Sequence, residues 1–244
     1  MKQCALCGEP ILANPSDPED RESDEHTPPL QFIPKAMRSE LREELWKVPS
    51  HKRCNQSSKL DEEYFYHRLY PLVGVNNEKM GDAILADLIR RAMKPQSRVM
   101  IRHMLKEITH TSPGGILLPQ GQVRVNFREV RIQNVAVKIA KCLFYMEHTR
   151  YMPRSNCVHI ELCQTVADLQ QPFDDLWRVR ELERRSAAPD VFRYWHLDLD
   201  GLHYYAMLFW DAFMFCLIFQ DPKRRRRGQS RPKKPETSRP RRSR

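Results

Sequence analysis

VPSHKRCN, residues Val48–Asn55, places a histidine and a cysteine two residues apart, His51 and Cys54. The same spacing opens the chain, where Cys4 and Cys7 bracket Ala5 and Leu6 and Gly8 follows. Two thiolates at that spacing converge from one tight turn onto a tetrahedral zinc ion, and the glycine eases the sharp backbone turn. Zinc accepts an imidazole nitrogen in place of a thiolate at little cost. Cys4, Cys7, His51 and Cys54 therefore close a four-ligand sphere, and the spacing predicts a structural Zn²⁺. Its binding would be largely folding free energy for a segment with few core residues.

Between the two pairs lies Asp24-Glu25-His26-Thr27-Pro28-Pro29, and after them comes Asn55-Gln56-Ser57-Ser58-Lys59-Leu60-Asp61-Glu62-Glu63-Tyr64-Phe65. A carboxylate beside an imidazole is what metal-assisted phosphodiester hydrolysis needs, an oxygen ligand for the ion and a base for the water. In this order the segments CALC, DEHTPP, VPSHKRCN and DEEYF resemble one branch of the HNH endonucleases, over about residues 1 to 68. The resemblance implies a ββα-metal hairpin and helix. It makes His26 the general base, Glu25 the acidic metal ligand and Asn55 the second ligand of a catalytic Mg²⁺ or Mn²⁺. Lys59, one helical turn beyond Asn55, is a candidate phosphate contact by charge alone. Three departures from the family pattern stand in the chain. Glu25 replaces the usual Asp, with Asp24 the alternative ligand; His51 replaces a Cys; and residues 27 to 50 hold no Asn.

Charge locates a second feature. Of the 41 basic and 31 acidic residues, twelve bases and one acid, Glu236, fall between Lys223 and Arg244, leaving 29 bases against 30 acids in the rest. That arm, with Arg224, Arg225, Arg226 and Arg227 at its start, has no apolar residue to bury, and its Pro and Ser content predicts a disordered segment. Such an arm binds polyphosphate by releasing counterions, without reading sequence. The longest apolar run, Ala206–Phe219, is interrupted by Asp211 and is shorter than the roughly 20 residues of a membrane-spanning helix. The expectation is a cytoplasmic protein with no membrane contact, whose seven cysteines are thiols rather than a disulfide framework.

The remaining chain reads as mixed structure. GDAILADLIRRAMK predicts a helix with Ile84, Leu85, Leu88, Ile89 and Ala92 on one face, and RVMIRHMLKEI a second after Pro95. Gly114 and Gly115 break the pattern, GQVRVNF alternates as a strand, and EVRIQNVAVKIAKCLFYMEHTRYM is a long helix with Val130, Val135, Val137, Ile139 and Leu143 inward. CVHIELC reads as a strand, DDLWRVRELERR as a helix, and VFRYWHLDLDG, LHYYAML and FMFCLIF as aromatic-rich strands. Cys142, Cys157, Cys163 and Cys216 sit in apolar patterns and read as core. His67, His103, His110, His148, His159, His196 and His203 show no partner spacing.

The expected fold class is α+β: a zinc-stapled ββα-metal module over residues 1–70, a mixed helix and strand domain over 71–220, and the basic tail over 221–244. The expected function is a metal-dependent endonuclease, with nucleic acid, DNA ahead of RNA, as its partner. Two alternatives remain open, a non-catalytic zinc module that docks on nucleic acid, and an interaction protein whose function lies in residues 70–220.

Overall fold

The computed structural model describes residues 2–41, 45–76, 78–95, 97–120, 122–163, 185–188 and 190–221. The arm with Arg224 to Arg227 lies outside the described residues. So does nearly all of the helix expected over DDLWRVRELERR; its last residue, Arg185, opens a strand.

Strands β1 (Glu22–Thr27) and β2 (Trp46–His51) flank the short helix α1 (Arg38–Leu41), and β2 runs into α2 (Lys52–Ser57) and α3 (Lys59–Asn76). Helices α4 (Glu78–Ala92) and α5 (Ser97–Leu105) follow, then a two-residue strand pair, β3 (Ile108–Thr109) and β4 (Arg124–Val125), and the long α6 (Glu129–His148). Strands β5 (Cys157–Cys163), β6 (Arg185–Ala187), β7 (Phe192–Leu199), β8 (Leu202–Phe209) and β9 (Phe213–Gln220) form an antiparallel sheet in the order β5-β9-β8-β7-β6. The fold is α+β. Among the described residues no helix is long and apolar enough to cross a membrane. The run Ala206–Phe219 is instead the end of β8, a turn and most of β9.

Local chemistry explains the sheet. Asp200 and Gly201 both have positive φ, 51° and 83°, as a two-residue hairpin turn of the right twist requires. This turn sets the β7–β8 register, with Leu199 opposite Leu202 and Asp198 opposite His203. Strand β8 then alternates, His203, Tyr205, Met207 and Phe209 inward and the residues between them less buried.

One core serves both ends of the chain. Phe32, from the connection between β1 and β2, stacks on Phe65 of α3 with ring centroids 4.9 Å apart and lies 5.5 Å from Trp210 at the β8–β9 turn. Phe65 in turn meets Phe215 of β9 at 5.5 Å. Tyr64, Phe65, Tyr66, Leu69, Tyr70 and Val73 are all buried, so α3 is enclosed between α4, α6 and the sheet. The division expected at residue 70 is not a division between cores: α3 crosses it and packs on both sides.

Several expected faces turn out differently. On α4, Ile84 is buried and Leu88 half-buried, but Leu85 and Ile89 stand exposed. The inward stripe is Met80, Ile84, Asp87 and Arg91, whose two charged members neutralise one another at 2.8 Å. Val130 at the start of α6 is exposed, whereas Val135, Val137, Ile139 and Leu143 are buried. Cys142 and Cys216 are buried as expected and Cys157 is only half-buried; the side chain of Cys163 lies outside the described residues. Among the described residues of GQVRVNF, only Arg124 and Val125 pair as a strand.

Candidate functional site

The zinc ligands come together. Cys4, Cys7, His51 and Cys54 each present one ligand atom, all within 4.8 Å of one another. The Nδ1 of His51 lies 3.4 Å from Cys7 Sγ and 3.9 Å from Cys54 Sγ. Zinc at usual bond lengths in a tetrahedron separates N from S by about 3.6 Å, so His51 and the sulfurs of Cys7 and Cys54 already stand near the spacing the ion needs. The other imidazole nitrogen, Nε2, donates to the Pro10 carbonyl at 3.2 Å, which leaves the lone pair on Nδ1. The His51 backbone N–H donates to Cys4 Sγ at 3.4 Å. Burial would raise the Cys4 thiol, but backbone N–H groups of Cys7, His51 and Leu6 outweigh it and bring it down. Burial and the neighbouring Cys4 push Cys54 up to about 12, so a bound cation is needed to hold all three sulfurs as thiolates.

The turn that carries Cys4 and Cys7 is docked, not merely local. The Ala5 N–H donates to the Pro49 carbonyl at 2.9 Å, tying it to β2, and Ala5 and Val48 pack with Cys142 and Tyr145 of α6. Gly8 has φ +85°, and a Cβ there would lie 2.6 Å from the Tyr151 ring. Only glycine meets both demands.

Next to this staple, β1 and α2 frame a cleft of about 530 Å³. Asn55 pins the helix to the strand, its Nδ2 donating to Ser23 Oγ at 3.1 Å and to the Asp24 carbonyl at 2.9 Å. Glu25, His26, Asn55 and Lys59 all line the cleft, whereas Asp24 is exposed and outside its lining. Lys35, Arg38, Lys59, Arg90, Arg91 and Lys94 surround it, against three acids, Glu25, Glu62 and Glu63. Arg91 is fixed by Asp87, by the Gln31 carbonyl at 2.6 Å and by the Tyr66 ring at 3.7 Å. Burial would raise the Asp87 carboxyl, but Tyr66, Arg90 and Arg91 hold it down to about 2. Lys35, Lys59 and Lys94 are exposed at the mouth.

At the floor, Glu25 is buried, 3% exposed, and its Oε2 lies 2.8 Å from Lys138 Nζ of α6. Lys138 also pairs with Glu62, which Gln31 and Ser58 hydrogen-bond. Burial pushes the Glu25 carboxyl up to about 7 against the pull of Lys138, with Glu62 adding to the rise. Burial alone would lower Lys138, but the two carboxylates hold the ammonium charged. The sequence pattern does not reveal Lys138 or the cations of α4, because no local spacing ties them to Glu25; only the packing of α6 and α4 on α3 does.

The basic residues Arg224, Arg225, Arg226 and Arg227 lie outside the described residues. Compared with known protein families, curated proteins and solved structures, the chain shows no match to a family model, to a curated protein or to a solved structure.

Proposed function

We propose that the chain is a metal-dependent endonuclease of HNH kind, with the cleft beside the zinc staple as its active site and nucleic acid, DNA first, as its substrate. The observation that supports this most is the gathering of Glu25, His26 and Asn55 on one cleft that six cations surround. A phosphodiester backbone is the polyanion such a lining suits, since phosphate contacts from Lys and Arg position nucleic acid without reading sequence.

The residues fit a weakly held divalent ion. Asn55 spends both hydrogens of Nδ2 on Ser23 and Asp24, which leaves Oδ1 as its donor atom for an ion. Glu25 Oε2 is buried with an ion pair to Lys138 but no well-directed hydrogen bond. Two protein oxygens, the rest from water and phosphate, is the usual holding of Mg²⁺. When bound, the ion supplies a Lewis acid for the phosphoryl and leaving oxygens. The chain's own residues do the remainder. Neutral His26 takes a proton from the attacking water at a ring nitrogen. Lys35, Lys59 and Lys94 hold flanking phosphates, and Asn55 keeps α2 in register with β1. The arm from Lys223 adds affinity through its charge.

One observation favours the second reading, a zinc-stapled module that binds nucleic acid without cutting. Glu25 is committed to Lys138, and an ammonium in that place competes with a metal ion. The two readings part on Glu25→Ala. An active site predicts Mg²⁺-dependent cleavage by the wild type, lost in Glu25→Ala and partly restored by excess Mn²⁺. A binding module predicts no cleavage from either protein under any divalent ion, with binding intact.

A further inference from the structure

At the far end of α6 three histidines meet that no motif joins. His148 ends the helix, His196 lies on β7, and His203 lies on β8. In the hairpin register His196 is opposite Tyr205 and Asp198 opposite His203, so both histidines sit on the sheet face that carries Tyr194, Tyr205 and Met207. Each of the three imidazoles offers a ring nitrogen within 4.8 Å of the others. His196 Nε2 is 3.0 Å from His203 Nδ1.

The imidazoles pack on rings, His196 stacking on Tyr205 at 4.4 Å and His148 and His203 lying against Phe144 at 4.4 and 4.9 Å, and their polar partners are those of a metal-binding set. His196 Nδ1 lies 2.6 Å from Glu147 Oε2, and Glu147 is itself oriented by the Tyr194 hydroxyl at 2.9 Å and the Tyr205 hydroxyl at 3.1 Å. A carboxylate on Nδ1–H fixes the tautomer and puts the lone pair of His196 on Nε2, the nitrogen that faces His203. His203 is 1% exposed; its Nε2 makes no hydrogen bond and has Asp221 Oδ2 at 3.9 Å, and the Nε2 of His148, likewise without a hydrogen bond, has Glu147 Oε2 at 4.0 Å. Buried polar nitrogens left in that state cost stability unless something pairs with them.

We propose that His148, His196 and His203 bind a divalent first-row transition ion, with Zn²⁺ the type, and that Glu147 is the carboxylate behind His196. Three imidazoles select such an ion over Mg²⁺ or Ca²⁺, which take oxygen ligands. In a tetrahedral zinc site the nitrogens stand about 3.3 Å apart, so the present set needs to close by at most about 1.5 Å. Three neutral protein ligands leave the fourth position to water or a small molecule, unlike the Cys and His staple, which uses all four. The site lies on α6, β7 and β8, and shares no residue with the cleft, so it stands or falls independently of the nuclease reading.

The test uses the full chain purified with its zinc and without chelator, titrated with Co²⁺. The wild type should take up one equivalent, with visible d–d absorption and no sulfur-to-cobalt charge-transfer band, on top of one retained zinc. His148→Ala and His196→Gln should lose that uptake while keeping the zinc and the circular dichroism of the wild type; if one of them fails to fold, the other carries the comparison. Glu147→Gln should keep the uptake but weaken it about 10–100-fold, the usual effect of losing an outer carboxylate. A wild type that holds a single zinc and takes up no Co²⁺, uptake only with thiolate bands, or undiminished uptake by both folded histidine variants would each overturn the proposal.

Discussion

Replacing Lys138 with Met tests whether the floor of the cleft is an ion-paired set. The ammonium is 7% exposed and pairs with two carboxylates, Glu25 at 2.8 Å and Glu62. Above pH 7, where Glu25 has given up its proton, the three charged groups give the set a formal charge of −1, and the comparison is made there. Lys138→Met leaves two buried carboxylates with no cation, whereas Glu25→Gln leaves one neutral pair, Lys138 with Glu62. Breaking a buried pair so as to strand charge costs about 3–5 kcal/mol, whereas Glu25→Gln removes one ion-pair partner and strands no charge, at about 1–3 kcal/mol. Lys138→Met should therefore be the more damaging by roughly 1–3 kcal/mol, a difference that follows from the charge count alone. Removing all three charges together, as Glu25→Gln, Glu62→Gln and Lys138→Met, should recover part of the loss, because neutral groups of similar shape strand nothing. Urea denaturation of the zinc-loaded proteins at one pH and salt concentration measures the three differences, with m-values checked for constancy. A Glu25→Gln variant as unstable as Lys138→Met, or a triple variant worse than Lys138→Met, would refute the reasoning.

Three other perturbations probe separate parts of the molecule. Gly8→Ala should cost about 1–3 kcal/mol, since it combines a positive φ with a clash against the Tyr151 ring; faster loss of zinc to chelator and a lower urea midpoint would register it, and wild-type values would contradict it. His67 is buried, 7% exposed, and burial together with Arg91 holds its imidazole down to about 4. The unfolded chain thus takes up that proton first, so the stability it contributes is present above about 6.5 and is lost as pH falls toward 4; ring-proton NMR should place its midpoint near 4, and a midpoint near 6.5 would contradict this burial. Deleting Lys223 to Arg244 should lower affinity for all duplexes alike and reduce the salt slope by about 0.9 for every phosphate that the arm neutralises; an unchanged slope would remove the arm from binding.

The zinc ligands were legible because their geometry is local. Two residues between ligands fixes the turn, and the only long-range fact needed is that Cys4 and His51 meet, which the ion's four-fold demand supplies. His67, with no partner spacing, read as an ordinary histidine, and its burial between Tyr66 and Arg91 came from the packing of α3 on α4. Leu85 and Ile89 were misplaced for a related reason. Periodicity ranks faces by hydrophobicity, and α4 buries instead the face that carries Asp87 and Arg91, because those two satisfy each other and Tyr66. Lys138 was hidden inside an apolar helical pattern whose inward face gives no sign of a charge partner far away in sequence. The three histidines were hidden differently. Asp200-Gly201 announces a two-residue hairpin, and once that register is drawn His196 and His203 share a face; His148 joins them only through the packing of α6. The chain's two ends share one core because Phe32 sits in a connection, where no periodic signal marks it as buried.

The most direct measurement of the central claim is the single-turnover cleavage rate of one labelled duplex by wild type and by His26→Ala, with the bound fraction and the zinc content determined in the same samples. His26 lines the cleft beside Glu25 and Asn55 and is not one of the zinc ligands. The account predicts equal binding, equal zinc and cleavage slower by about 10²–10⁴-fold, the usual share of a positioned general base. His110, which is exposed, should tolerate Ala in the same assay. Equal cleavage by wild type and His26→Ala, or no cleavage by wild type with Mg²⁺ or Mn²⁺ on duplex, single strand or RNA, would contradict it.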